Sequence, residues 1–258
     1  MVRMVGAAFA FGMIQLGRRG PLVTDRRDLL ALAGLAMLGV VLNQLFFLEG
    51  VQRTTAIHTN IIITTIPAFT LAVAMLLGRE RGTFPKIGGI LVAGSGAIFL
   101  ILGRHLPAEG ASVLGDAMVA INSLFYASYL VLSKDVVKRL DPVTVVTYVF
   151  VLGCIIVAPI GVPALLRVDP AMVTPKVVLV LAYIILFPTF LCYLMSIWAL
   201  KRTASSLVAM YVYVQPVVTA YLAPLILGER VTPRSGIAAA LIFAGLGLAT
   251  WGKTVDTA

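Results

Sequence analysis

Apolar residues in this chain come in unbroken runs rather than in alternation, and short polar joints separate the runs. A run of roughly 17–25 apolar residues crosses about 30 Å of hydrocarbon as an α-helix. The pattern predicts nine such spans, near residues 1–17, 28–48, 55–77, 85–103, 112–133, 142–165, 175–199, 205–227 and 234–252. They must be helices, because lipid cannot satisfy bare backbone groups and the runs lack the two-residue alternation of barrel strands. The expected fold class is an all-α integral membrane protein, with no soluble domain between the spans.

A shift of 149 positions brings Thr54 onto Thr203, Pro67 onto Pro216, Glu80 onto Glu229, Thr83 onto Thr232 and Gly96 onto Gly245. Each half holds a helix with a central proline, then a short joint reading Gly-Arg-Glu-Arg or Gly-Glu-Arg, then a helix rich in glycine and alanine. An odd number of spans separates the two joints, so the halves are expected to be inverted repeats, 1–103 and 112–252. The first half has one span fewer. What it lacks is the counterpart of the span that opens with Asp116, so a further helix is expected upstream of Met1.

The segments LNQLFFLEGVQRTTA and LGRERGTFPKIGGILVAGSGAIFLI, and again LKRTASSLVAMYVYVQPVVTAYLAPLILGERVTPRSGIAAALIFAGLGL, resemble the EamA domain of the drug/metabolite transporter superfamily. The resemblance covers both halves. It implies ten helices in two inverted five-helix repeats, of which nine are present here and the first is missing. It also implies metabolite export, with amino acids and related compounds as a common substrate class.

Composition and charge add orientation. The 258 residues are 60% hydrophobic and 12% charged, with a mean hydropathy of +1.02, whereas soluble domains are about 45–50% apolar. A net charge of +9 suggests nucleic acid only if the basic residues share a soluble face, and here they sit in the joints. The lipid bilayer, not nucleic acid, is the expected partner. One orientation puts 13 of the 20 lysines and arginines inside, Arg18, Arg79, Lys134 and Lys201 among them, and 7 outside, including Arg53, Arg104 and Arg230. The positive-inside rule then predicts a cytoplasmic C-terminus in the cell (inner) membrane.

Polar residues in the spans mark candidate chemistry. On a helical wheel Asn60, Thr64 and Pro67 share one side, while His58 and Thr65 lie on the other. Asn122, Tyr126, Tyr129 and Ser133 form a second stripe, Tyr211, Gln215 and Thr219 a third around Pro216, and Thr189, Tyr193 and Ser196 a weaker fourth. Pro67 and Pro216 are expected to kink their helices and free the carbonyls of Ile63 and Val212. Asn60, Thr64, Asn122, Tyr126, Tyr129, Tyr211 and Gln215 are the candidate substrate residues. The competing reading is that each bonds only a neighbouring helix. His58 and Glu49, ionisable and close to lipid, are candidates for proton coupling, Glu49 alternatively pairing with Arg53. Asp116 reads as a helix cap, and Glu80 and Glu229 as caps or braces of the short joints. Gly236, Ala240 and Ala244, like Gly89 and Ala93, are spaced for close helix packing. Cys154 and Cys192 read as buried packing residues.

These features point to a secondary transporter exporting a small solute by alternating access. No GxxxxGK[ST] segment is present, so the chain is not itself an ATPase, and no cofactor or metal is expected. An enzyme is disfavoured, since neither His58 nor His105 stands in an HxxxD or HExxH pattern. The alternatives are a flippase-like carrier of a lipid-linked or amphipathic substrate, and a non-transporting structural subunit.

Overall fold

The computed structural model describes residues 1–102, 112–169, 172–209, 212, 214–229 and 232–251. Ten helices follow one another: α1 (Val2–Gly17), α2 (Arg26–Val51), α3 (Ala56–Leu76), α4 (Phe84–Leu102), α5 (Val113–Val137), α6 (Pro142–Leu166), α7 (Pro175–Leu200), α8 (Ser205–Ala209), α9 (Val214–Leu227) and α10 (Pro233–Trp251). Helices α2 to α7 are each long and apolar enough to cross a membrane, and shorter apolar helices lie at α1, α9 and α10. Together they fall on the nine predicted spans. The protein is an all-α, multi-pass membrane protein.

Local chemistry sets the helix ends. Asp25, Thr55, Asp141 and Thr174 each cap a first turn by accepting from a backbone N–H two or three residues on. Pro142 and Pro175 open α6 and α7, where a missing N–H costs nothing. Gly78 and Gly228, at φ +67° and +69°, carry the chain out of α3 and α9 in the left-handed conformation that glycine adopts without strain.

Moving every bound by 149 positions takes α2 onto α7 and α4 onto α10, and takes the start of α3 onto the start of α8. Irregularities repeat as well. Both α2 and α7 widen into a π-helix at matching places, Met37–Leu42 and Ile185–Leu191. Helix α3 breaks at Thr64 and Thr65 between its segments Ala56–Ile63 and Ile66–Leu76, and α9 begins at Val214, the counterpart of Thr65.

The chain forms two compact units, each drawing helices from both halves of the repeat: Met1–Leu42 with Leu132–Thr203, and Asn43–Val131 with Ala204–Ala258. In the first, Phe11 packs on Phe150 and Phe190 at centroid distances of 5.4 and 4.6 Å. A π-turn leaves a backbone carbonyl without its usual helical donor, and the Tyr193 hydroxyl donates to that of Gly39 at 2.6 Å. Gln15 donates to Thr144 at 3.1 Å and ties α1 to α6. Cys154 is half-buried and Cys192 exposed, so the expectation of two buried cysteines does not hold.

In the second unit α4 and α10 meet along their backbones. A Cβ on Gly89 would lie 2.4 Å from the carbonyl oxygen of Gly245, and one on Gly96 2.9 Å from that of Ala238. The 149-residue shift takes Gly89 to Ala238 and Gly96 to Gly245, so the two contacts are images of each other. Because Gly89 meets Gly245 while Gly96 meets Ala238, the helices run antiparallel, and the repeats are inverted within this unit. The small-residue stripe of α10 is therefore Ala238, Ile242, Gly245 and Ala249, all buried. The predicted stripe is wrong for α10: Ala240 and Ala244 are exposed, and nothing lies within 4 Å of a Cβ at Gly236.

The joint glutamates obey the same symmetry. Glu229 accepts from the backbone N–H of Ala56 at 2.8 Å and of Ile57 at 2.9 Å, the start of α3. Glu80 accepts from the Ser206 hydroxyl at 3.0 Å, at the start of α8, and lies 3.9 Å from the Lys86 ammonium. Glu229 caps the first turn of α3, where its charge meets the positive helix end, and Glu80 bonds a side chain at the start of α8, so each reaches a helix start of the opposite repeat. Glu229 is thus a helix cap, as expected of a joint glutamate, and the helix start it caps belongs to the opposite repeat.

Two stability predictions follow from these contacts, both read by thermal unfolding of the purified protein. Gly245→Val must part α4 from α10 and should cost about 1–3 kcal/mol or prevent folding, whereas Gly236→Ala should be neutral or gain about 0.5–1 kcal/mol. Glu229→Ala should cost about 1–2 kcal/mol, the range for losing a helix cap, and more than Glu80→Ala, because Glu229 holds two backbone donors and Glu80 a hydroxyl.

Candidate functional site

Of the polar stripes, those of α3, α5 and α9 place most of their residues in the second unit. The first turn of α3 is held on every side. Thr55 accepts from the His58 N–H at 3.1 Å while Glu229 takes those of Ala56 and Ile57, so the donors that a helix start leaves open are met by side chains. One turn further, the Asn60 amide donates to the Ala56 carbonyl at 2.9 Å. Its oxygen accepts no hydrogen bond among the described residues, and the side chain is half-buried.

At the break the two threonines turn inward on their own backbone. Thr64 donates to the Ile61 carbonyl at 2.5 Å and Thr65 to that of Ile62 at 2.7 Å. Pro67 opens the second segment of α3, where its ring and missing N–H prevent the helix from running straight through. The hydroxyls compensate carbonyls next to the interruption, which accounts for threonine at both positions.

On α5 the stripe divides between packing and a polar contact. Asn122 is buried and donates to the Asn43 carbonyl at 2.6 Å, at the residue where α2 returns from π- to α-geometry. Tyr126 and Tyr129 stack with centroids 5.9 Å apart, and Tyr129 is fully buried. On α9 Gln215 is half-buried, and Pro216 stands in the first turn rather than mid-helix. Tyr211 and Tyr213 lie outside the described residues, as do Arg104, His105 and Arg230.

The ionisable residues rearrange the expected roles most. Glu49 forms an exposed ion pair with Arg53, one turn on along the chain. His58 lies in a buried pair instead: its Nδ1 is 3.0 Å from an Asp116 carboxylate oxygen, and the side chains are 8% and 1% exposed. The Thr54 hydroxyl donates to the other Asp116 oxygen. Asp116 therefore does not cap α5. Ser112 does, its hydroxyl accepting from the Gly115 N–H at 2.9 Å. The sequence offered one signal for this pair, an acid inside an apolar span; that it meets His58, 58 residues away, follows only from the packing of α3 on α5.

No group of three or more His, Cys, Asp or Glu with metal-binding geometry occurs among the described residues. A groove between the end of α3 and the start of α4, bordered by Ala72, Met75, Leu76, Ile87, Ile90 and Leu91, is wholly apolar and offers a solute no polar group.

Residues 1–102 and 113–251 match the EamA-like transporter family. An uncharacterized transporter of Archaeoglobus fulgidus is 26% identical over 234 residues, 90% of this chain and 80% of its own. A WAT1-related protein of Arabidopsis thaliana is 24% identical over 248 residues, 86% of this chain and 64% of its own. A solved protein crystal structure superposes with a TM-score of 0.64 at 17% identity, covering 97% of this chain and 86% of the other, a likeness of fold.

Proposed function

This chain belongs to the EamA-like transporter family, and we propose that it is a secondary transporter exporting a small metabolite, an amino acid or related solute, by alternating access. The observation that carries this reading is the interruption of α3 at Thr64 and Thr65, with Asn60 one turn before it. Interrupted helices at corresponding places in inverted repeats are where secondary transporters bind solute.

In this proposal residues 1–103 and 112–252 act as the two inverted repeats, and the solute lies against the polar sides of α3, α5 and α9. Asn60 offers its amide oxygen and Gln215 an amide on the equivalent helix. Tyr126 and Tyr129 supply aromatic surface, with Asn122 and Thr64 fixing the backbone around them and Tyr211 completing the stripe of Gln215. Amides and aromatic rings suit a zwitterionic or uncharged solute. Pro67 and Pro216 are the points at which the two helices bend. The excess of basic residues in one set of joints supports a cytoplasmic C-terminus in the cell (inner) membrane.

The test combines binding with transport. In a thermal-shift screen of amino acids, nucleosides, sugars, amines and lipid-linked sugars, a true ligand at a hundred times its dissociation constant should add about 2.7 kcal/mol of stability. Asn60→Leu should abolish that shift and the export of the same compound while leaving expression near wild type; export unchanged in Asn60→Leu removes the site from this helix.

A further inference from the structure

We propose that His58 and Asp116 form a proton-binding site that couples the movement of the first segment of α3 to pH. Two observations carry it: the burial of the pair at 3.0 Å, and the break that frees the segment on which His58 stands. It gives the transport cycle just proposed its energy source and rests on that reading for its purpose, though the proton site itself does not.

Asp116 accepts from Thr54 through one oxygen and faces His58 Nδ1 at 3.0 Å through the other. An ionised carboxylate only accepts, so Nδ1 carries the hydrogen. With a neutral imidazole the buried pair holds a net charge of −1; one added proton, on the second ring nitrogen, brings it to zero. A lone charge in a low-dielectric interior is far costlier than a neutral ion pair. The loaded pair therefore favours the packed arrangement, and loss of the proton favours admitting water between α3 and α5.

What moves is defined by the fold. The segment Ala56–Ile63 ends at the Thr64–Thr65 break, so it can shift without dragging Ile66–Leu76, and it carries Asn60. Among the described residues, the charged groups on neighbouring elements have partners of their own. Glu49 and Arg53 at the end of α2 pair with each other, and Glu229 after α9 holds the N–H groups of Ala56 and Ile57. Arg234 on α10 donates to the carbonyls of Phe99 and Leu100. Helix α4 bears Lys86 alone, which lies near Glu80 at the other joint. Glu229 is the other carboxylate at the start of α3.

The sign follows from linkage. Opening releases a proton, so the opening constant of the segment rises with pH, by at most about tenfold per pH unit for one proton. Hydrogen–deuterium exchange of the amides from His58 to Ile63, corrected for the chemical rate, reads that constant without any solute. Protection should fall with pH in wild type, in Glu49→Gln and in Glu229→Gln, and should be independent of pH in His58→Gln and Asp116→Asn. Retention of the wild-type profile in both dyad variants, or its loss in Glu229→Gln alone, overturns the proposal.

A second arm tests coupling in proteoliposomes with a radiolabelled amino-acid mixture. His58→Gln and Asp116→Asn should keep counterflow exchange but lose accumulation driven by a pH gradient. Gradient-driven accumulation surviving in both overturns coupling. An absence of counterflow in wild type rejects the amino-acid reading, and the exchange measurement still decides the proton site.

Discussion

The close approach of α4 and α10 is the constraint on which the second unit depends. Glycine at 89, 96 and 245 lets two backbones meet where any side chain would hold them apart. Lipid provides no hydrophobic drive between apolar helices, so this contact must come from van der Waals packing and short approach. The antiparallel crossing that results relates α4 and α10 by an approximate two-fold axis. It also fixes which helix start each joint glutamate reaches.

The glutamates show how such symmetry is used. A helix start inside a membrane protein leaves backbone donors that lipid cannot meet. Capping by a residue from the same helix is one answer, and Thr55 gives it for His58. Capping by the opposite repeat does more, because it ties the first turn of α3 to the end of α9 through a charge. The start of α3 is thus clamped by Glu229 on one side and by the His58–Asp116 contact on another, while its far end is loosened at Thr64 and Thr65. A short helix fastened at one end and broken at the other is a part that can swing.

Much of the polar content of the spans proves to be internal accounting of hydrogen bonds. Thr64, Thr65, Thr70 and Thr189 all donate to carbonyls of their own helices, near a break, a proline or a π-turn. Tyr193 meets a carbonyl of the π-segment in α2. These residues make irregular helices tolerable in lipid. Asn60 differs, since its amide oxygen is not engaged among the described residues, and it stands one turn before the break in α3.

The sequence by itself determined the class, the spans, the repeat and the interruption beside Pro67, because apolar length, proline and a 149-residue echo are local or additive signals. It also marked His58 as an ionisable residue close to lipid and Glu49 as a partner for Arg53, a pair one helical turn apart. Tertiary structure decided the rest. Whether Gly236 or Gly245 faces α4 depends on the rotation of a helix whose small residues lie on more than one side. That Asp116 belongs to His58 rather than to its own helix start, and that Glu229 belongs to α3, are contacts across 58 and 172 residues. Nothing in the intervening chain encodes them; they exist only once packing has brought separate helices together.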